Sequence, residues 1–380
     1  MIRLTRPVLD DVEARAVRDV LATGMLVQGE QVQGFENDVA TWLSAHSRAG
    51  GAVHTVAVAN GTAALELCLL AAGVGPADEV LVPAVTWPSP GNAVAIHGAI
   101  PVLVDVELDT FNIDSLRIHE HVTSRTTAVI AIDQFGVPAD APALRRALGS
   151  LTIIEDAACA LGSSLGEVAC GLLGDLGTYS FHPRKVITTG EGGMVITRDV
   201  RHAEAVRALR NHGQTSPGVF AGAGPNERMT EIQGAIGRVQ MTRLEQILSS
   251  RRAMADEMRR AVRLHWQQAP AGARVNHQTL GFVLPEPSHG TRAAARAAVV
   301  AALRSDGIEA GALSHGLHRL PQFARLTVNS ERHFPVADLV ADGGIAVPLH
   351  PGMTATDVAV VIDGLRRHAA WAIGRSVTVP

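Results

Sequence analysis

The chain has 380 residues, a formal net charge of −4, 47% hydrophobic residues and only 18% charged ones. This excludes an intrinsically disordered chain, which combines low hydrophobicity with high net charge. It also argues against nucleic acid as the main partner, because neutralising phosphates takes clustered Lys and Arg; the nearest basic run, Arg251-Arg252 with Arg259-Arg260, falls in a helical pattern and reads as a solvated face.

The N-terminal MIRLTRPVLDDVEARAVRDV lacks the apolar centre of a signal peptide. Residues 9–23 read as a helix, with Asp10 and Asp11 near its start and Gly24 just past its end. From about 55 to 200, apolar β-rich runs at 80–83, 102–106, 128–132, 151–154, 178–181 and 194–197 alternate with helical or loop segments. That rhythm predicts an α/β fold, a mostly parallel mixed sheet flanked by helices. The last two runs leave no room for a helix between them and are expected to form an antiparallel edge or a short excursion. Residues 229–262 carry apolar positions at three- and four-residue spacing and predict one long helix. Beyond it come a strand at 279–284, a helix at 291–306 and a final helix after 354–357. The expected division is an N-terminal segment with a large domain over 1–245, then a linker helix and a smaller α+β domain over 246–380, with a ligand cleft between them. No stretch approaches about 18 uninterrupted apolar residues, so no membrane span is expected. The cysteines, Cys68, Cys159 and Cys170, are odd in number and form no CxxC pair, which suits a reducing cytoplasm.

Three segments carry chemistry. In VANGTAALELCLLAAG an apolar strand ends at Asn60-Gly61-Thr62 and a helix begins at once. A helix start offers unpaired N–H groups and a partial positive charge, a phosphate-binding design that also serves as an ordinary turn and cap. In TIIEDAACALGS a β-branched run ends in Glu155-Asp156. An Asp at the carboxyl end of a parallel strand can face a bound cofactor or cap a helix. In SFHPRKVITTGEGGMVI, Lys185 stands 29 residues beyond Asp156. A lysine, a buried carboxylate and a phosphate-binding helix start are the parts needed to hold pyridoxal 5'-phosphate. The amine forms a Schiff base, the carboxylate keeps the pyridine nitrogen protonated, and the helix start takes the phosphate.

With those residues in place, the chain resembles the DegT/DnrJ/EryC1/StrS sugar aminotransferases, which have the fold-type I, aspartate aminotransferase-like architecture. The resemblance runs through QGEQVQGFENDVA, NGTAALELCLLAAGVGPADEVLVPAVTW, AIPVLVDVELDTFNID, EDAACALGS, GDLGTYSFHPRKVITTGEGGMVIT, NERMTEIQGAIGRVQ and FPVADLVADGGIAVPLHPGMT. It implies that Lys185 is the Schiff-base lysine and later proton shuttle, and that Asp156 partners the pyridine nitrogen. It implies that Gly61, Thr62 and Ser180 hold the phosphate and that Trp87 stacks on the cofactor ring. Asn226 matches the asparagine that reaches the phosphate in the neighbouring subunit, which implies a homodimer with shared active sites. Arg228, beside it, is a candidate for a donor carboxylate or substrate phosphate; His182 and His318 are candidates on the substrate side. The family usually has Gln or His near the cofactor's phenolic oxygen where this chain has Cys159, a weak hydrogen-bonding thiol retained as a pocket-lining candidate.

The implied reaction is a ping-pong transamination from glutamate or glutamine to a keto sugar on a nucleotide carrier, with a ketocyclitol as the alternative. Relatives that have turned to sugar dehydration replace the lysine with histidine, and here Lys185 is present. A cofactor-binding regulatory protein is a further reading. Gly162-Ser163-Ser164-Leu165-Gly166 fits G-x-S-x-G, but the strand ends too early and the GEVACGLLGDLG segment after it is too rich in glycine for a nucleophile elbow. No G-x-G-x-x-G comes after an early strand, and His119 and His121, two residues apart, do not share a helix face, so neither a dinucleotide nor a metal is expected.

Overall fold

The aliphatic runs of the first half pair into one seven-stranded sheet. Its strands are β1 (His54–Val58), β2 (Glu79–Pro83), β3 (Ile100–Val104), β4 (Thr126–Ile132), β5 (Thr152–Asp156), β6 (Leu176–Ser180) and β7 (Gly193–Thr197), in the order β1-β7-β6-β5-β4-β2-β3. The computed structural model describes residues 1–48, 50–326, 328 and 333–379. Ladders from β3 through β2, β4 and β5 to β6 are parallel, whereas β6–β7 and β7–β1 are antiparallel, so β7 alone opposes the rest. The antiparallel pair expected from the sequence is therefore present, but it is no edge. β1 covers β7, every residue of which is buried, and so pairs backbone groups that burial would otherwise orphan. The run expected at 151–154 continues to Asp156, which makes that carboxylate the last residue of a strand.

Helices α1 (Asp11–Thr23), α2 (Glu30–Ala45), α3 (Gly61–Ala71), α4 (Ser89–Ile96), α5 (Ala141–Leu148) and α6 (Val200–Leu209) accompany the sheet. α1 starts as read, with a reciprocal cap between Asp10 and Glu13, and stops at Gly24 in the left-handed conformation. α7 (Glu231–Ala261) opens on a second capping box, Thr230 with Gln233, and its 31 residues span about 46 Å. α2 has no cap of its own at Gly29. The buried carboxylate of Glu231, from the first turn of α7, accepts the N–H groups of Gly29, Gln31 and Val32 at 2.8, 2.8 and 2.9 Å. One turn on, Gly234 admits the close approach, because a Cβ there would lie 2.7 Å from Val32 N.

Apart from short two- and three-residue pairings, the strands β8 (His265–Trp266), β9 (Leu280–Val283), β10 (Gly311–Ala312) and β11 (Gly344–Val347) form a second, antiparallel sheet ordered β8-β9-β11-β10. α8 (Arg292–Ser305) and α10 (Ala355–His368) pack on it around Trp266, Phe282, Leu303 and Val361. The intervening α9 (Pro335–Gly343) takes its cap from outside, since Asp105 just after β3 accepts from Val336 N and Ala337 N at 3.1 and 2.8 Å. Among the described residues no helix is long and apolar enough to cross a membrane.

The basic run on α7 is not the solvated face expected. Arg251 is 2% exposed and donates to the carbonyls of His277 and Gln278; Arg252 donates to those of Gly162 and Val275, and Arg259 to that of Gln267. Helical spacing sets Arg251 on the same buried side as Met254, Ala255 and Met258, where carbonyl oxygens replace water around the guanidinium. Burial lowers its pKa to about 10. Arg260 alone of the four is exposed.

Candidate active site

A cavity of about 590 Å³ opens at the carboxyl ends of β4, β5 and β6, lined there by Ile132, Asp156 and Ser180 and also by Ala346 and Val347 of β11. That is where open parallel sheets commonly bind ligands. The N-terminal residues Leu4 and Thr5 complete part of the wall.

α3 contributes its N-terminus. Asn60 caps it, its Oδ1 accepting Ala63 N at 2.9 Å, and the first turn carries no acidic residue. The leading N–H groups of a helix lack intrahelical acceptors, and here Gly61 and Thr62 line the cavity. Gly61 must be glycine for this approach, because a Cβ would sit 2.8 Å from Ser180 Cβ. The hydroxyls of Thr62 and Ser89 meet at 2.7 Å. Backbone N–H groups, hydroxyls and the positive end of a helix dipole thus share one corner.

Asp156 is 6% exposed. Its Oδ1 accepts Ala158 N at 3.1 Å and Thr178 Oγ1 at 3.4 Å; among the described residues no donor reaches Oδ2. Burial raises its pKa, and the charge of Lys185 opposes that shift. The neighbouring Glu155 points to the other face of the strand and closes the 171–174 turn by accepting Gly171 N, Leu173 N and Gly174 N.

Lys185 sits in the tight connection between β6 and β7. Its N–H donates to His182 O at 2.8 Å, and Thr188 Oγ1 and Thr189 N both donate to Phe181 O, at 2.7 and 3.0 Å. The threonines of the stretch thus shape the loop and leave the lysine to the cavity. Lys185 Nζ stands 3.0 Å from Cys159 Sγ. His182 accepts Arg184 N on Nδ1 at 3.2 Å, and burial lowers its pKa.

Trp87 is 58% exposed at the cavity wall rather than packed in the core. The Arg184 guanidinium lies over its ring at 5.6 Å, and His315 meets it edge-on at 5.5 Å. Thus Gly61, Thr62, Trp87, Asp156, Cys159, Ser180, His182 and Lys185 share one cavity. Three expected site residues do not line it. Asn226 is exposed, and Arg228 is bonded to the side chain of Asn211. His318 is paired with Asp338 at 2.8 Å and packed on Phe334, whereas a two-residue strand pairing with Val85–Thr86 carries His315 to Trp87. Ser89, Arg184 and Gln278 also line the cavity and were not assigned a role from the sequence. Their signals were adjacency, Ser89 two residues after Trp87 and Arg184 one before Lys185. Ser163 is buried and donates to Gly136 O at 2.6 Å, and Ser164–Leu165 is a short strand, so G-x-S-x-G here is no nucleophile elbow.

These residues fit pyridoxal phosphate on geometry alone. The cradle at Gly61 is one that a Cβ would fill, Asp156 lines the cavity with one oxygen free of any hydrogen-bond donor among the described residues, and a primary amine stands in the same cavity.

The sequence profile of the DegT/DnrJ/EryC1/StrS aminotransferase family matches residues 7–366. The chain is 36% identical over 321 residues to GDP-perosamine synthase of Caulobacter vibrioides, covering 83% of this chain and 85% of that protein. It is 34% identical over 369 residues to UDP-N-acetyl-3-dehydro-alpha-D-glucosamine 3-aminotransferase of Acidithiobacillus ferrooxidans, covering 92% and 94%. Among solved structures, the aminotransferase TlmJ from Streptoalloteichus hindustanus superposes with a TM-score of 0.87 at 30% identity, covering 98% of this chain and 99% of that one.

Proposed function

The chain belongs to the DegT/DnrJ/EryC1/StrS aminotransferase family, whose members depend on pyridoxal phosphate, and from that premise we propose that it moves an amino group from glutamate or glutamine to the keto group of a nucleotide-linked sugar. The observation that carries the reading is Lys185 Nζ in the same cavity as buried Asp156 and the Gly61–Thr62 helix start. The two related proteins named above support the substrate class, one being named for GDP-perosamine and the other for a UDP-linked dehydro sugar.

In this reading Gly61, Thr62 and Ser180 would hold the phosphate through N–H and hydroxyl groups. Asp156 Oδ2 would hold the proton on the ring nitrogen, Trp87 would cover a ring face, and Cys159 would lie near the phenolic oxygen in place of a stronger donor. Bound pyridoxal phosphate supplies an aldehyde that condenses with amines and a ring that draws electrons from the adjoining carbon. Lys185 Nζ would hold the aldehyde carbon, and the same nitrogen would take up and return the donor's α-proton, as base and then as acid. The same nitrogen moves the proton in the opposite sense when the keto substrate is aminated. Asn226, exposed and outside its own protomer's cavity, is assigned to the phosphate in a neighbouring protomer of a homodimer. Free thiols at Cys68, Cys159 and Cys170 accord with a cytoplasmic location.

The test is spectroscopic. The purified protein with added cofactor should show a visible absorbance band that shifts on adding glutamate or glutamine. Lys185→Ala should lack that band and lose at least about a thousandfold in amino transfer. No band in the wild type sinks the proposal, and a band without amino transfer points to a regulatory cofactor-binding protein. A panel of UDP- and GDP-linked keto sugars beside ketocyclitols separates the substrate classes.

A further inference from the structure

We propose that Arg184 is a specificity-determining residue that reads an oxyanion of the substrate, a phosphoryl or a carboxylate group, at the wall of the active-site cavity. The inference rests on the aminotransferase reading and adds to it a residue that the cofactor does not need.

The main chain of Arg184 is held on both sides. Its N–H donates to His182 Nδ1 at 3.2 Å, and its carbonyl accepts Gln278 Nε2 at 2.7 Å. The loop bearing Gln278 is itself anchored, since buried Arg251 donates to the carbonyls of His277 and Gln278, and Gln278 N donates to Asn276 Oδ1 at 2.8 Å. The side chain then lies over the Trp87 indole, 5.6 Å from its centroid, and His315 supports that indole from its edge. Backbone and side chain are therefore both placed, although the residue is exposed.

What is left unused is the guanidinium's hydrogen-bonding edge. Among the described residues no carboxylate pairs with Arg184, whereas Arg319 is paired with both Asp338 and Asp342. A guanidinium resting on an aromatic face keeps its in-plane N–H donors directed outward, in the fork that matches carboxylate and phosphate oxygens. Of the acids lining the cavity, Asp156 faces the charge of Lys185, and Glu191 forms no ion pair with Arg184 among the described residues, so the Arg184 fork stays free for a ligand. Both substrates of the proposed reaction carry an oxyanion, the donor its α-carboxylate and the acceptor its diphosphate. A lysine here would supply charge without the fork or the stacking plane.

The test compares wild type, Arg184→Gln and Arg184→Lys as cofactor-loaded enzymes. Calorimetry measures the Kd of UDP and of GDP, and stopped-flow absorbance measures half-saturation by L-glutamate in the donor half-reaction alone. The expected result is a loss of about tenfold or more for one ligand class in Arg184→Gln, with partial recovery in Arg184→Lys and a weaker salt dependence of the affected ligand. Loss confined to the nucleotides identifies the diphosphate, and loss confined to glutamate identifies the donor carboxylate. Binding of both classes within about twofold of wild type overturns the inference. So does an equal loss of both accompanied by a lower melting temperature, which would show a structural role. A wild type that neither responds to glutamate nor binds a nucleotide is recognised before any variant is compared; it overturns the proposed function and this inference with it.

Discussion

Asp156 and Glu155 are neighbours in sequence and do unrelated work, because a strand turns successive side chains to opposite faces. Glu155 spends its oxygens on backbone N–H groups, whereas Asp156 keeps one oxygen for the cavity. A single side chain also sets an acid sensitivity. His277 lies in the field of Arg259, Arg251 and Arg252, and its pKa falls to about 3, first by burial and then by those charges. Its folded pKa lies below the ordinary histidine value, so as pH drops the unfolded chain takes up the proton first. The stability it contributes is complete above about pH 6.5 and erodes toward pH 3. Between pH 6.5 and 4 the erosion should reach about 2 kcal/mol, allowing for partial solvent contact. His277 has a φ of 50°, a left-handed conformation that asparagine tolerates. His277→Asn should therefore fold and show a flatter urea-unfolding profile over that range. A profile as steep as wild type would assign the acid sensitivity elsewhere.

At the scale of elements, local caps were legible and remote ones were not. The reciprocal pairs at α1 and α7 lie three residues apart, as a capping box requires. The cap of α2 comes from Glu231, about two hundred positions away, and that of α9 from Asp105. No local pattern could announce either. Glu231→Ala removes a buried acceptor from three N–H groups and should cost about 3 kcal/mol in chemical unfolding, while Glu231→Gln, which keeps one neutral acceptor, should cost about half of that. A cost below about 0.5 kcal/mol would mean that water replaces the carboxylate at the start of α2. The same limit explains Arg251. Its helical position was readable, but the carbonyls that let it be buried arrive from residues 277 and 278.

At the scale of the whole molecule, the proposed homodimer makes a prediction that one protomer cannot. Lys185 lies in its own cavity, while Asn226 is exposed outside it. Lys185→Ala and Asn226→Asp should each abolish most activity, the second by setting a carboxylate against a phosphate. Dissociated, mixed and reassembled, they should recover roughly a quarter of wild-type activity, because half of the dimers are mixed and each has one intact site. No recovery would place Asn226 in service of its own protomer.

The main elements and the parts of a pyridoxal phosphate site were legible in the residues alone, and the family resemblance added the reaction class. Periodicity is a local property, and the lysine, the aspartate and the helix start lie in short contiguous segments that keep their chemistry wherever the chain carries them. The tertiary structure decided what depends on distant pairing. It set β1 outside β7, buried Arg251, and brought His315 rather than His318 to Trp87. It also left Arg184 on that indole with its charge unpaired among the described residues. In each case the deciding partner lies tens to hundreds of residues away, and only a closed three-dimensional packing says which oxygen, ring or strand edge meets which side chain.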